Sequence, residues 1–126
     1  MEYNEELLKY RLERCQSTIE EAKFAIEINK LHLAENRIYY SIFYVVSALS
    51  LKNNFSTSKH SVLLGWFNKN FVNPGIISKE LGKIYNTAFE NRQESDYEDM
   101  VYFETENVKM DYENMLQFVD AVKKLM

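Results

Sequence analysis

Residues 36–51, NRIYYSIFYVVSALSL, are the stretch that decides the fold. The stretch contains no Gly or Pro, and its charge sits at one end, on Arg37. At about 100° per residue, apolar side chains cover one face and most of the opposite face. The first face holds Ile38, Tyr39, Ile42, Phe43, Val45, Val46 and Leu49, and the second holds Tyr40, Tyr44, Ala48 and Leu51. A helix that is apolar nearly all round is usually buried. The pattern therefore predicts a central helix around which the rest of the chain packs.

The same stretch is too short to cross a bilayer. Its apolar run extends only over residues 42–51, whereas a membrane-spanning helix needs roughly 20 apolar residues. No basic and then apolar segment follows Met1, and a single cysteine, Cys15, excludes an internal disulfide. We therefore expect a cytoplasmic protein with no membrane association.

Composition favours a small helical protein. The 126 residues predict one domain over 1–126, and three Gly and one Pro are few enough to indicate long helices. The formal net charge of −4 argues against a general nucleic-acid coat, although a local cluster of cations remains compatible with RNA contact.

Two other segments carry apolar residues at alternating spacings of four and three. The first covers residues 3–29, with Leu8, Leu12, Cys15, Ile19, Ala22 and Ile26 on the seam; the last begins near Glu104, with Val108, Tyr112, Met115, Val119, Val122 and Met126. Such a seven-residue repeat packs helix against helix. On this seam Cys15 is expected to be a small core residue and not a nucleophile.

Two shorter helices are predicted in between. Thr57 or Ser58 is expected to cap a helix from about Lys59 to Phe71, and Gly65 inside it suggests close packing against a neighbour. A turn at 73–75, Asn-Pro-Gly, precedes a fourth helix from about Ile77 to the mid-90s. The elements together predict an all-α fold, an up-and-down four-helix bundle with a short additional helix.

Arg92 extends the apolar stripe of the fourth helix, which runs through Ile77, Leu81, Ile84, Tyr85 and Ala88. A buried, unpaired charge is costly, so Arg92 needs partners, and Asp96 lies one helical turn further along. We expect both side chains to point toward Arg37 and Tyr40 on the central helix. A structural salt bridge explains the Arg92–Asp96 pair as well as a functional site does.

Several familiar catalytic patterns are absent from the sequence. It has no glycine-rich phosphate loop, no His-Glu-x-x-His pair, no nucleophile elbow and no Glu-x-x-His pair. His32, His60 and Cys15 have unrelated spacings, so neither a metal nor a cofactor is expected. A polar set at the helix ends remains, suited to a phosphate or a ribose: Arg37, Tyr40, Lys59, His60, Arg92, Asp96 and Tyr97.

Three segments in order resemble the HEPN superfamily, and within it the small stand-alone proteins labelled UPF0332. They are Asn36-Arg37-x-Tyr39-Tyr40-x-x-Phe43-Tyr44, then 58–61 followed by Phe67-x-x-x-Phe71-Val72-x-x-Gly75, then Leu81-Gly82 with Arg92-x-x-x-Asp96-Tyr97. The resemblance implies a helical bundle that often dimerises. It also implies frequent pairing with a minimal nucleotidyltransferase in toxin–antitoxin-like operons.

Many HEPN proteins are metal-independent ribonucleases, and the resemblance extends only partly to their motif. That motif is an Arg, a polar residue and, after four to six intervening residues, a His. Arg92 and Gln93 match its start, but Tyr97, Glu98 and Asp99 stand where the His belongs. The usual general acid or base is therefore missing from the motif.

Three functions follow as alternatives. The first is an accessory partner of a nucleotidyltransferase that binds nucleotide or RNA through Arg37, Tyr40 and Lys59, with little chemistry of its own. The second is a ribonuclease toxin with a variant site, in which the catalytic residues are Arg92, Asp96, Tyr97 and His60. The third is a structural dimerisation module. A homodimer is expected in each case, because the aromatic content of 14% exceeds what one small bundle easily buries.

Overall fold

The computed structural model describes residues 4–97 and 102–126, and it describes side chains for 4–92 and 102–126. The helices of these ranges are α1 (Glu5–Glu27), α2 (Leu31–Lys52), α3 (His60–Phe67), α4 (Lys79–Tyr97) and α5 (Thr105–Lys123). A π-helical turn, Asn68–Val72, continues α3. The described ranges contain no strand, and the predicted all-α bundle with a short additional helix is confirmed. None of their helices combines the length and apolar content needed to cross a bilayer.

Helix α2 is the centre of the bundle, as its sequence predicts. It contacts α1, α3, α4 and α5, and every residue from Val45 to Leu51, the small polar Ser47 and Ser50 included, is buried. The periodic seams of α1 and α5 also face the core, since Cys15, Ala22, Val108 and Met115 are fully buried. The Cys15 thiol donates to the carbonyl of Ser41 at 3.3 Å, and burial raises the pKa of the thiol to about 11. An inert core cysteine follows from both observations.

Two expectations about the central and third helices need correction. Phe43 is only half-buried, because it lies on the side of α2 that faces the start of α3. The residue at the N-terminal cap of α3 is Lys59, and neither Thr57 nor Ser58 occupies that position. The hydroxyl of Thr57 instead accepts a bond from the Lys59 backbone N–H at 3.1 Å, so it stabilises the approach to the helix.

Gly65 has no close neighbour, which contradicts the packing suggested for it. A Cβ built on Gly65 meets nothing within 4 Å, whereas one on Gly82 lies 2.9 Å from both γ-carbons of Val72. Gly82 is therefore the glycine that permits close packing, between α4 and the π-helical turn. Val72 is β-branched and has little freedom to move aside.

We expect opposite effects from alanine at these two glycines. Gly65→Ala should raise the free energy of unfolding by about 0.5–1 kcal/mol, because alanine is the better helix former at an open position. Gly82→Ala should lower it by about 1–3 kcal/mol, because the added methyl group overpacks against Val72. Urea titrations of both variants test the pair. A destabilised Gly65→Ala or a stabilised Gly82→Ala would contradict this account of the packing.

Candidate functional site

Four side chains meet where α3 and α4 approach the middle of α2. Tyr39 and Tyr40 come from α2, His60 is the first residue of α3, and Arg92 lies near the end of the described side chains of α4. Together with Arg37 they form what we call the arginine–tyrosine cluster. Arg92 Nη2 donates to the hydroxyl of Tyr40 at 3.3 Å, so the stripe of α4 does direct Arg92 to Tyr40.

The guanidinium of Arg92 also lies over aromatic rings. Its Cζ is 5.6 Å from the ring centre of Tyr39 and 5.7 Å from that of Tyr40. Both distances are within the range of cation–π attraction, which is strongest where water is excluded. Arg92 is half-buried there, so the tyrosines hold its charge in place at the edge of the core.

His60 belongs to the same cluster. Its Nδ1 lies 2.7 Å from the Tyr39 hydroxyl, and its ring stacks on Phe43 with centroids 4.3 Å apart. The ring also meets Tyr40 edge-on at 5.7 Å. Burial, and then the positive charge of Arg92, lower the pKa of His60 below its ordinary value. His60 is therefore neutral at physiological pH.

The hydroxyl of Tyr39 is kept in its protonated form. Burial raises the pKa of Tyr39 well above its ordinary value, and the nearby charge of Arg92 only partly offsets this. Tyr39 is fully buried, so its hydroxyl bonds to the protein and not to solvent. A neutral phenol thus faces a neutral imidazole inside the cluster.

Arg37 lies on Tyr40 as well, with Cζ 5.2 Å from the ring centre. Its Nη1 forms an ion pair with Glu21 at 3.0 Å, and its Nε and Nη2 donate to Asn36 Oδ1 at 3.0 and 2.6 Å. Tyr44 lies one turn further along α2, and Arg14 of α1 lies over its ring, with Cζ 5.3 Å from the ring centre. Three arginines therefore line the tyrosine face of α2 on a protein whose net charge is −4.

Of the remaining predicted site residues, one lies beside the cluster and two have side chains outside the described residues. Lys59 caps α3 beside His60 and is exposed. Asp96 and Tyr97 lie in the last turn of α4, but their side chains, like that of Gln93, are outside the described residues. The predicted Arg92–Asp96 ion pair is outside them too. Tyr39 and Phe43 contact His60 and were not predicted as its partners, although both belong to residues 36–51.

A second polar group, also missed, lies between α2, α4 and α5. Glu35 is only 2% exposed, and its Oε2 accepts from the Asn91 amide at 3.2 Å. The same amide donates to Asp111 Oδ2 at 3.4 Å. Burial, and then the hydrogen bond and negative charge of Asp111, raise the pKa of Glu35 to about 9. Glu35 is therefore protonated near neutral pH.

These three residues line a cleft of about 730 Å³ whose wall includes apolar side chains of α2 and α4, among them Ile38, Ile42, Leu81 and Ile84. The sequence has no periodic pattern of polar residues that would predict this cleft, because Glu35, Asn91 and Asp111 each lie on a different helix.

The HEPN domain family model matches residues 8–125. The chain therefore belongs to the HEPN family, and the resemblance seen in the sequence is confirmed. The chain is 45% identical over 125 residues to a UPF0332 protein of Thermotoga maritima, and the alignment covers 99% of this chain and 95% of that protein. It is also 30% identical over 124 residues to a protein of Methanocaldococcus jannaschii whose name marks it as a candidate toxin, with coverage of 98% and 84%.

Proposed function

We propose that this protein is a toxin–antitoxin-related HEPN protein that binds RNA or a nucleotide at the arginine–tyrosine cluster and performs little chemistry itself. The observation that carries the proposal is the guanidinium of Arg92, held at 3.3 Å by Tyr40 and lying over two tyrosine rings. The family match and the relative named as a candidate toxin support the broader assignment.

The cluster combines the two kinds of group that bind a polynucleotide. A guanidinium offers a planar fork of donors that matches a phosphate, and it remains charged at any physiological pH. Aromatic rings provide surfaces on which bases stack without regard to sequence. Arg92 lies over the rings of both Tyr39 and Tyr40 and donates to the Tyr40 hydroxyl, whereas Arg37 lies over the ring of Tyr40. We therefore expect binding to depend most on Arg92.

We further propose the partners that the family resemblance implies, a minimal nucleotidyltransferase and a second copy of this chain, in the cytoplasm. Exposed apolar side chains support a protein partner: Phe24 is 58% exposed, and Ile28 and Leu33, across the α1–α2 connection, are also exposed. Phe24 and Leu33 line one surface cleft, and exposed apolar surface of this kind often marks an interaction face. Analytical ultracentrifugation at high micromolar concentration tests the homodimer, and a strictly monomeric mass would count against it.

A titration with a labelled single-stranded RNA oligonucleotide tests the binding site. We expect Arg92→Lys to weaken binding by about tenfold or more, because lysine keeps the charge but loses the fork and the ring contacts. Arg11→Lys is the matched control, since Arg11 is also partly buried and donates to the Ser47 carbonyl at 2.9 Å, outside the cluster. Its binding should stay within about twofold of the unaltered protein.

The same variants separate a functional from a structural role. Melting curves recorded beside the titration show whether Arg92→Lys remains folded. Unchanged RNA affinity with a lowered melting temperature would leave Arg92 as a structural cation and end the binding proposal.

The ribonuclease alternative also has a specific observation in its favour. His60 and Arg92 both contact Tyr39 and Tyr40, so a histidine lies beside the motif arginine although the motif itself lacks one. Metal-independent cleavage would yield 2′,3′-cyclic phosphate ends in the presence of a chelator and would be lost in His60→Ala. Absence of such ends with total RNA would remove this alternative.

A further inference from the structure

The short contact between His60 Nδ1 and the Tyr39 hydroxyl, 2.7 Å, leaves open which group donates. Tyr39 is fully buried, so water does not take its hydrogen. Within the part of the chain that the structure describes, Nδ1 is the one hydrogen-bonding partner of this hydroxyl. A buried donor without an acceptor is strongly disfavoured, so the hydroxyl donates to Nδ1.

That direction fixes the tautomer of His60. A neutral imidazole carries one hydrogen, and when Nδ1 accepts, the hydrogen is on Nε2. Protonation of the ring would place a second hydrogen on Nδ1, and Tyr39 would then have to turn its own hydrogen away from its acceptor. The charged or titratable groups facing the ring among the described side chains are Tyr39 and Tyr40 of α2 and Arg92 of α4. None is an anion, so none favours the imidazolium.

We propose that Tyr39 is a positioning residue that holds His60 as a neutral imidazole with its hydrogen on Nε2, so that His60 serves the site as a hydrogen-bond donor and not as a general acid or base. The inference rests on the proposed function, because it assigns the part of His60 in the RNA- or nucleotide-binding site. It also decides between binding and cleavage, since the ribonuclease alternative requires His60 to move a proton.

His60 is a donor and not a general base because only one of its two ring nitrogens, Nε2, is left for a ligand. The Nδ1 lone pair of His60 is occupied by Tyr39, so it is not available to take a proton from a ribose hydroxyl. The Nε2–H of a neutral imidazole is a very weak acid, but it is a good donor to a phosphate oxygen. His60 would thus add one neutral hydrogen bond to the charged fork of Arg92.

Nitrogen-15 NMR of the histidine rings in the full chain tests the tautomer without any ligand. The sequence contains only His32 and His60, and the exposed His32 serves as the internal reference. Near pH 7 we expect Nδ1 of His60 to be the nitrogen without hydrogen, with one tautomer present. A hydrogen on Nδ1, or an averaged mixture of the two tautomers, would overturn the proposal.

Two conservative variants extend this measurement. Tyr39→Phe keeps the ring under Arg92 but removes the hydroxyl, so we expect His60 to show both tautomers and its pKa to rise toward the ordinary value. Tyr40→Phe is the matched control, because its hydroxyl bonds Arg92 and not His60; it should leave the single tautomer intact. An unchanged His60 spectrum in Tyr39→Phe would show that packing, and not this hydroxyl, orients the ring.

A binding measurement tests the donor role itself. His60→Gln retains an N–H donor but no group that exchanges a proton near pH 7, whereas His60→Ala has neither. We expect His60→Ala to weaken binding of the RNA oligonucleotide by about tenfold and His60→Gln to stay within about threefold of the unaltered protein. Equal losses in the two variants would contradict the donor role. If the unaltered protein binds no oligonucleotide, the proposed function fails, while the NMR result still decides whether Tyr39 fixes the tautomer.

Discussion

Glu35→Gln should stabilise the protein on the alkaline side of neutrality and remove a pH dependence of its stability. Burial and the carboxyl of Asp111 raise the pKa of Glu35 to about 9 in the folded state, against about 4.3 in an unfolded chain. Below the unfolded value both states hold the proton, and the stabilising contribution is complete. Between the two values only the unfolded chain releases the proton, so stability falls as pH rises, by up to about 1.4 kcal/mol per pH unit.

Glutamine does not titrate, and its amide reproduces the two bonds of the protonated acid. Its oxygen accepts from Asn91, as Glu35 Oε2 does at 3.2 Å, and its NH₂ group donates to Asp111. We expect the free energy of unfolding to rise on the order of 3 kcal/mol near pH 8 and to change little near pH 4. Urea titrations over this pH range measure the difference between the variant and the unaltered protein.

Glu90→Gln is the control for charge alone, because Glu90 is an exposed carboxyl on the same helix as Asn91. It should change stability by less than about 0.5 kcal/mol at either pH. A Glu35→Gln variant that is less stable than the unaltered protein near pH 8 would mean that Glu35 is ionised in the folded state.

Phe67→Ala should be among the most damaging single changes, with a loss of about 3–5 kcal/mol. Phe67 is fully buried and meets the rings of Phe71, Tyr85 and Phe118 at centroid distances of 5.6, 5.6 and 5.5 Å. Truncation leaves a cavity among large, rigid neighbours that cannot collapse into it. Thermal and urea unfolding measure the loss.

Two other phenylalanines form a graded control. Phe24 is 58% exposed, so Phe24→Ala should cost less than about 1 kcal/mol. The half-buried Phe43, which the sequence alone would place in the core, should fall between the two, because it stacks on His60. A loss under about 1 kcal/mol in Phe67→Ala would show that the aromatic group joining α3, α4 and α5 is peripheral to stability.

The amino-acid sequence by itself determined the helices and most of the buried face of each. Helical periodicity is local, and burial of apolar surface is the dominant favourable term in folding, so the central place of α2 and the seams of α1 and α5 could be read from spacing. The same periodicity placed Arg92 on the packed side of α4 and directed it toward Tyr40, where its Nη2 lies 3.3 Å from the hydroxyl.

Only the tertiary structure decided which polar groups meet. His60 and Tyr39 are 21 residues apart and Glu35 and Asn91 are 56 apart, and each pair belongs to two different helices. A hydrogen bond tolerates displacements of only a few tenths of an ångström. The packing of the whole core, including the approach of Gly82 to Val72, fixes these distances. A local sequence pattern therefore cannot predict them. The tautomer of His60 and the proton on Glu35 follow from the same packing, because burial disfavours the charged form of a titratable group.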